Sequence, residues 1–401
     1  MPESETVRVF ADRISDVPRS FIREILKVAL EPSVISFAGG LPNRSLFPTE
    51  GLALAMQRVM ETQAGDVLQY AGSEGYPPLR EYIARRYRDK HGLDIPVGNI
   101  LITNGSQQGL DLLGKVLLND GDPVVIEEPG YLGAIQAFSL YRPAFLPVPV
   151  SGEGMDPEAL ASALGARRPK LIYTVPNFQN PSGISYSTEN RRRVAAAVEG
   201  SDALLIEDDP YGDLRFAGSP RPSFRELLPD NSVLLGSFSK CIVPGFRLGW
   251  IVAPDDLLDK LITVKQATDL HTSHFTQSIV HRYLEDNDLD EHVALISETY
   301  GRQCRAMLDS IRRHFPSGVS CTEPEGGMFL WAELPGNMAA LDLFELAVED
   351  KVVFVPGDPF YVDDRRSNAL RLNFSCVDEA TIETGIARLG SAMHRLMDGQ
   401  G

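Results

Sequence analysis

The chain has 401 residues, of which 43% are hydrophobic and 23% charged, a make-up that folds as a globular protein and buries core enough for about two domains. Its formal net charge is −17, which argues against a nucleic-acid or anionic-membrane partner, since both require a basic face. No run of about eighteen apolar residues is present to span a bilayer.

The N-terminus, Met1-Pro2-Glu3-Ser4-Glu5, lacks the basic and apolar regions of a secretion leader. Cys241, Cys304, Cys321 and Cys376 have neither metal-site nor disulfide-framework spacing. A cytoplasmic setting with reduced thiols is therefore expected. Residues 1–15 read as an arm. The stripe Phe21, Ile22, Ile25, Leu26 and Leu30 then suggests a helix, with Arg19, Arg23 and Lys27 interspersed. Gly39-Gly40-Leu41-Pro42 gives a bare, tight turn whose backbone can approach a ligand. A helix is expected through Leu52, Met56, Val59 and Met60. The polar loop 69–76 follows and presents Tyr70, and another helix begins at Pro78.

From residue 100 short apolar runs alternate with helical segments. Strands are expected at 100–103, 124–126, 145–150, 171–175, 203–206, 233–236 and 248–252. Alternation at this spacing means an α/β fold, with a mainly parallel sheet covered on both faces and right-handed crossovers. Ligands of such sheets gather at the carboxyl ends of the strands. After about residue 255 the rhythm changes. Long helices are expected over 257–284 and 292–315, short strands around 327–332 and 370–374, and helices at 340–349 and 378–397. The expected division is a large domain at 46–289 and a smaller α+β domain built from 16–45 and 290–401.

The chemically versatile residues fall just after the expected strands. Asn104-Gly105-Ser106-Gln107 opens a helix, where free backbone N–H groups and the helix dipole favour phosphate; Ser106 could equally be a plain N-cap. Asn177-Phe178-Gln179-Asn180-Pro181-Ser182-Gly183 fixes its backbone with proline and can aim the Asn180 amide at an anion. Glu207-Asp208-Asp209 ends a buried strand, which is unfavourable unless a cation answers it. That cation could be a protonated pyridine nitrogen or Mg²⁺. Ser237-Phe238-Ser239-Lys240, with Arg247, suits an imine-forming lysine beside an anion held by serines and a guanidinium. Arg371 lies inside an apolar strand and needs a carboxylate partner, from a substrate or from the protein itself.

Taken in order, Gly-Gly-Leu-Pro, Asn-Gly-Ser-Gln-Gln, Asn-Pro-Ser-Gly, Glu-Asp-Asp-Pro-Tyr, Ser-Phe-Ser-Lys, Arg-Leu-Gly-Trp and Arg-Leu-Asn-Phe resemble the pyridoxal-phosphate-dependent, fold type I, class I/II aminotransferases. The similarity is greatest to the 2-aminoadipate and kynurenine aminotransferase branch, and the same domain occurs fused to DNA-binding regulators of the MocR type. It runs from about residue 15 to 395. The resemblance implies a seven-stranded large-domain sheet and the cofactor pyridoxal 5'-phosphate. Lys240 would form the Schiff base and shuttle protons, Asp208 would pair with the pyridine nitrogen, and Asn180 and Tyr211 would hold the phenolate oxygen. Tyr131 would stack on the ring. Ser106, Gln107, Ser237, Ser239 and Arg247 would bind the phosphate, with Tyr70 reaching the phosphate of the neighbouring subunit in a homodimer. Arg371, Asn180 and Gly39 would hold the substrate carboxylate, and Arg23 would contact distal groups. No metal is implied. The implied reaction moves an amino group by a ping-pong mechanism from an L-amino acid to a 2-oxo acid such as 2-oxoglutarate. The donor would be 2-aminoadipate, glutamate, or an aromatic or branched-chain amino acid. A decarboxylase, a β-lyase or a non-catalytic effector-binding domain would use the same fold.

Overall fold

Period-two alternation along the apolar runs sorts their side chains onto two faces of one sheet. Val124, Ile126, Leu171, Tyr173 and Ile206 pack toward Leu110, Leu113 and Phe138. Their immediate neighbours Val125, Ile172 and Leu205 pack toward Leu160, Val194 and Val198 on the other side. Both faces are therefore covered by helices, among them Ser106–Leu117 and Leu132–Ser139 on one and Pro157–Arg167 and Thr188–Val198 on the other. The computed structural model describes residues 10–15, 25, 31–336 and 338–399. The stretch expected as the first helix, with Arg23, lies outside the described residues apart from Ile25.

The large sheet runs Ile100–Thr103, Gly249–Val252, Ser232–Ser237, Leu204–Asp208, Leu171–Thr174, Pro123–Glu128, Ala144–Ser151 and Gly154–Met155. The central strands pair in parallel. Strand Gly249–Val252 is antiparallel to both its neighbours. The sheet has eight strands where seven were expected, because Ala144–Ser151 turns back on itself. Gly154, at φ +122°, lets the two-residue strand Gly154–Met155 pair antiparallel with Val150 and Ser151.

A second sheet holds Ser320–Cys321, Phe329–Glu333, Ala369–Asn373 and Val355–Pro356, all antiparallel. Helix Leu289–His314 packs beside it against Glu379–Asp398, through Met307, Ile311, Ile386 and Leu389. A short parallel pairing of Ile35–Ser36 with Val352–Val353 ties residues 35–40 to this unit. That tie lays Gly40 beside Lys240, just past strand Ser232–Ser237 of the large sheet, and Ala38 beside Arg371 of the second sheet.

The single helix expected over 257–284 is instead two, Asp255–Thr268 and His274–Asp286. Between them Asp269 leaves helical geometry at φ −148°, Leu270 takes φ +68°, and Ser273 caps the next helix by accepting from Thr276 N–H. The apolar stripe lapses over 265–274, where only Ala267 and Leu270 are apolar, and Ser273 supplies a cap for the second helix. At the break the Asp269 carboxylate accepts from Gln108 on helix Ser106–Leu117 and from Asn104 just before that helix.

Candidate active site

Strand Ser232–Ser237 delivers its side chains into a tight turn, 238–242, that carries Lys240. The Lys240 side chain is half-buried, and its Nζ donates to Gly40 O at 2.8 Å. Burial lowers the amine pKa to about 8, from 10.5, and the positive charges of Arg371 and Arg247 push it the same way, while Cys376 opposes them. The amine is therefore neutral over much of the range in which an ordinary lysine is charged.

The neighbouring strand ends in three acids that pleating separates. Asp208 is 1% exposed and faces the cavity beside Lys240. Glu207 and Asp209 point to the opposite face, into a separate cavity of about 650 Å³. There Glu207 accepts from Ser223 Oγ and Arg225 N and faces Arg191 Nη1 at 3.9 Å, and Asp209 accepts from Asn177 Nδ2 at 3.0 Å. Asp208 accepts from Tyr173 OH at 2.7 Å through Oδ2, but its buried Oδ1 has no partner among the described residues. Burial raises the Asp208 carboxyl to about 7, with nearby Asp209 and Glu127 adding and Tyr173 opposing.

Opposite these groups Arg371 donates to Asn180 Oδ1 at 2.8 Å and to Ala38 O at 2.7 Å. Its guanidinium carbon stands 4.4 Å from the Phe329 ring centre and 5.2 Å from that of Phe360, and its Nε is unpartnered among the described residues. Burial lowers its pKa to about 10. Asn180 Nδ2 donates to Tyr211 OH at 3.4 Å, so the phenol proton stays free for another acceptor. Tyr131 begins helix Leu132–Ser139, and burial pushes its phenol up to about 12.

At the far end Gly105, at φ +78°, precedes helix Ser106–Leu117. A Cβ on Gly105 would stand 2.6 Å from Arg247 Nη2, so glycine lets the guanidinium lie against the loop. Ser237 Oγ accepts from Ser239 N–H at 3.1 Å and donates to Ser239 Oγ at 2.9 Å. Hydroxyls, a guanidinium and a helix N-terminus thus meet in one place, as an anion seat requires.

Ser106, Gln107, Tyr131, Asn180, Asp208, Tyr211, Ser237, Ser239, Lys240, Arg247 and Arg371 all line one cavity of about 360 Å³. Gly39 is buried beside it, and the glycine on the wall is Gly40. Tyr70 is not part of this wall; it is 78% exposed and lies edge-on to His271 at 6.0 Å. The residues present fit pyridoxal phosphate. An unpaired buried carboxylate oxygen answers a ring nitrogen, the glycine-lined seat answers a phosphate, and the amine answers an aldehyde.

Two supporting groups escaped the sequence reading. Tyr173 orients Asp208; it pairs in register with Ile206, two residues before Asp208, so the same face was inferable once the strands were known to be adjacent. Glu127 is fully buried and accepts from Tyr186 OH, Thr174 Oγ1, Val175 N and Gln179 Nε2 at 2.6–3.0 Å. Gln179 in turn accepts from Ser182 N at 2.8 Å and Ser182 Oγ at 2.5 Å, which shapes the loop carrying Asn180. An acid closing the apolar run Val124-Val125-Ile126 was the available signal.

The sequence model of the family described as Aminotransferase class I and II matches residues 39–389. The chain belongs to the class I and II aminotransferases. An aromatic-amino-acid aminotransferase 1 from Thermococcus litoralis is 39% identical over 99% of this chain and 96% of its own. The alpha-aminoadipate aminotransferase LysN from Thermus thermophilus, solved with N-(5'-phosphopyridoxyl)-L-leucine, superimposes with a TM-score of 0.90. It is 40% identical, covering 97% of this chain and 98% of its own. The Pyrococcus horikoshii kynurenine aminotransferase gives a TM-score of 0.93 at 38% identity, with 98% of each chain covered. This aminotransferase has the fold type I architecture, uses pyridoxal phosphate and transfers amino groups between amino acids and oxo acids.

Removing the Glu127 carboxylate leaves several buried donors without their acceptor, each costing about 1–3 kcal/mol. Glu127→Ala is expected to lower unfolding free energy by about 3 kcal/mol in urea titration. A loss below about 1 kcal/mol would contradict the role given to this carboxylate.

Proposed function

We propose that this aminotransferase takes its amino group from a 2-aminoadipate, glutamate, aromatic or branched-chain L-amino acid and passes it to a 2-oxo acid such as 2-oxoglutarate. The observation that carries the reading is that the Lys240 amine and the unpaired oxygen of Asp208 face the same cavity as Arg371. The aromatic rings of Tyr131 and Tyr211 on the cavity wall support an acceptance of long or aromatic side chains.

Bound pyridoxal phosphate supplies an aldehyde for the amino group and a ring that takes up the electron pair of the breaking Cα–H bond. Ser106, Gln107, Ser237, Ser239 and Arg247 hold the phosphate. Asp208 Oδ1 holds a proton on the ring nitrogen, because a buried carboxylate of this kind is satisfied best by a cation. Asn180 Nδ2 and Tyr211 OH donate to the phenolate oxygen. Arg371 grips the substrate carboxylate in a fork, which fixes the orientation of the Cα–H bond. Lys240 Nζ, about half unprotonated at pH 8, would be the base that takes the substrate Cα proton and the acid that gives a proton back.

We further propose a homodimer in which Tyr70 serves the partner's phosphate. Its support is the exposure of Tyr70 and of Leu54, Met56, Met60 and Leu68 in one stretch of chain. A cytoplasmic setting is supported by the four unpaired cysteines.

The test is the visible absorbance of the loaded enzyme with single amino acids and no acceptor. The band is expected to bleach with at least one of 2-aminoadipate, glutamate, kynurenine, phenylalanine or leucine, and to return on adding 2-oxoglutarate. Stable absorbance with all five would overturn the proposed substrate range. The rate at which the apoprotein captures pyridoxal phosphate should rise with pH to a midpoint near 8, because only the neutral amine attacks an aldehyde. A stopped-flow midpoint near the unperturbed 10.5 would show that the amine is not held as described.

A further inference from the structure

We infer that Asp269 positions the phosphate seat, acting through Lys265, Gln108 and Asn104, and thereby sets the selectivity of this chain for phosphorylated over unphosphorylated cofactor. The inference rests on the reading of the Gly105–Ser106 region as the seat of the phosphate.

The network is built where the expected long helix breaks. Helix Asp255–Thr268 ends, and the Asp269 and Leu270 N–H groups both fold back to Lys265 O, at 3.0 and 3.2 Å. Leu270 adopts φ +68°, a left-handed conformation unfavourable for a side-chain-bearing residue. The turn is therefore held by its contacts and not by its own preference. Its effect is to aim the Asp269 carboxylate at the head of helix Ser106–Leu117. Asp269 Oδ2 accepts from Asn104 Nδ2 at 2.5 Å and from Gln108 Nε2 at 2.7 Å, while Oδ1 accepts from Lys265 Nζ at 3.0 Å.

Gln108 closes the ring. Its Oε1 accepts from Lys265 Nζ at 3.0 Å and from Asn104 N at 2.8 Å. Asn104 is thus fixed by its side chain and by its backbone at once. The next residue is Gly105, against which Arg247 lies, and Arg247 Nη2 comes 3.5 Å from Asn104 O. Ser106 then opens the helix. Lys265 has a side chain with 0% exposure, so its charge is committed to this pair. None of Asp269, Lys265, Gln108 and Asn104 lines the cavity. They are positioning residues, placing the N–H groups, the Ser106 hydroxyl and the Arg247 guanidinium at one end of the site only. Lys240, Asp208 and Arg371 are held by other partners.

That division gives a test that a general stabilising role would not pass. The apoprotein, wild type and with Asp269→Asn or Asn104→Ala, is titrated with pyridoxal phosphate and separately with pyridoxal, following the visible band. Asp269→Asn replaces an acceptor by an amide and confronts three donors; Asn104→Ala removes one donor and leaves the ion pair intact. Both are expected to raise the dissociation constant for pyridoxal phosphate by about tenfold and to change that for pyridoxal by less than about twofold. Equal weakening of both ligands, or no change in either, overturns the inference. If Asp269→Asn fails to fold, Asn104→Ala decides by the same ratio. A wild-type protein with no preference for the phosphorylated form would overturn the seat itself, which distinguishes that failure from failure of the network.

Discussion

A carboxylate oxygen buried at the end of a central strand, with no partner among the described residues, is the constraint on which this site turns. Asp208 is held by Tyr173 through one oxygen, while the other faces a cavity from deep inside the protein. Leaving such a group unanswered costs roughly 1–3 kcal/mol, and more when it is charged. Burial, with nearby Asp209 and Glu127 adding and Tyr173 opposing, raises its pKa to about 7, so the fold builds in an affinity for a cation at that position. Pleating makes this possible. The flanking acids Glu207 and Asp209 turn to the other face, where Arg191, Ser223 and Asn177 satisfy them.

The rest of the cavity is arranged around the converse problem of holding cations out of water. Lys240 has a backbone carbonyl for its amine and two guanidinium groups near enough to lower its pKa. Arg371 lies between aromatic rings, with an amide oxygen and a carbonyl for company and, among the described residues, no carboxylate bonded to it. It is thus available to a carboxylate from outside. Two sheets are needed for this. The large one supplies Asp208 and Lys240, and the smaller one supplies Arg371, joined across the cavity by residues 38–40.

Much of this was legible in the sequence because strand ends in a parallel sheet are local. Each short apolar run announced a strand, and the polar residues after it had to fall along one edge. That logic brought Ser106, Asn180, Asp208 and Lys240 together without knowledge of strand order. What it missed depends on pairs far apart in the chain. Glu127 and Gln179 are 52 residues apart, and Tyr173 and Asp208 are 35 apart; nothing local marks them as partners. The break at Asp269 did carry a local signal, the polar run 265–274 with Ser273 as a cap, but the partners of the Asp269 carboxylate belong to the distant residues 104 and 108. Gly39 and Gly40 were indistinguishable by composition, and only the backbone path puts Gly40 on the wall.

The central claim is that one lysine, Lys240, carries the covalent chemistry of this enzyme. The most direct measurement is borohydride reduction of the holoenzyme followed by peptide mapping with mass spectrometry. The account predicts a phosphopyridoxyl group on the peptide containing Lys240, and its loss in Lys240→Ala. Modification of another lysine in the wild-type enzyme, with Lys240 untouched, would contradict it.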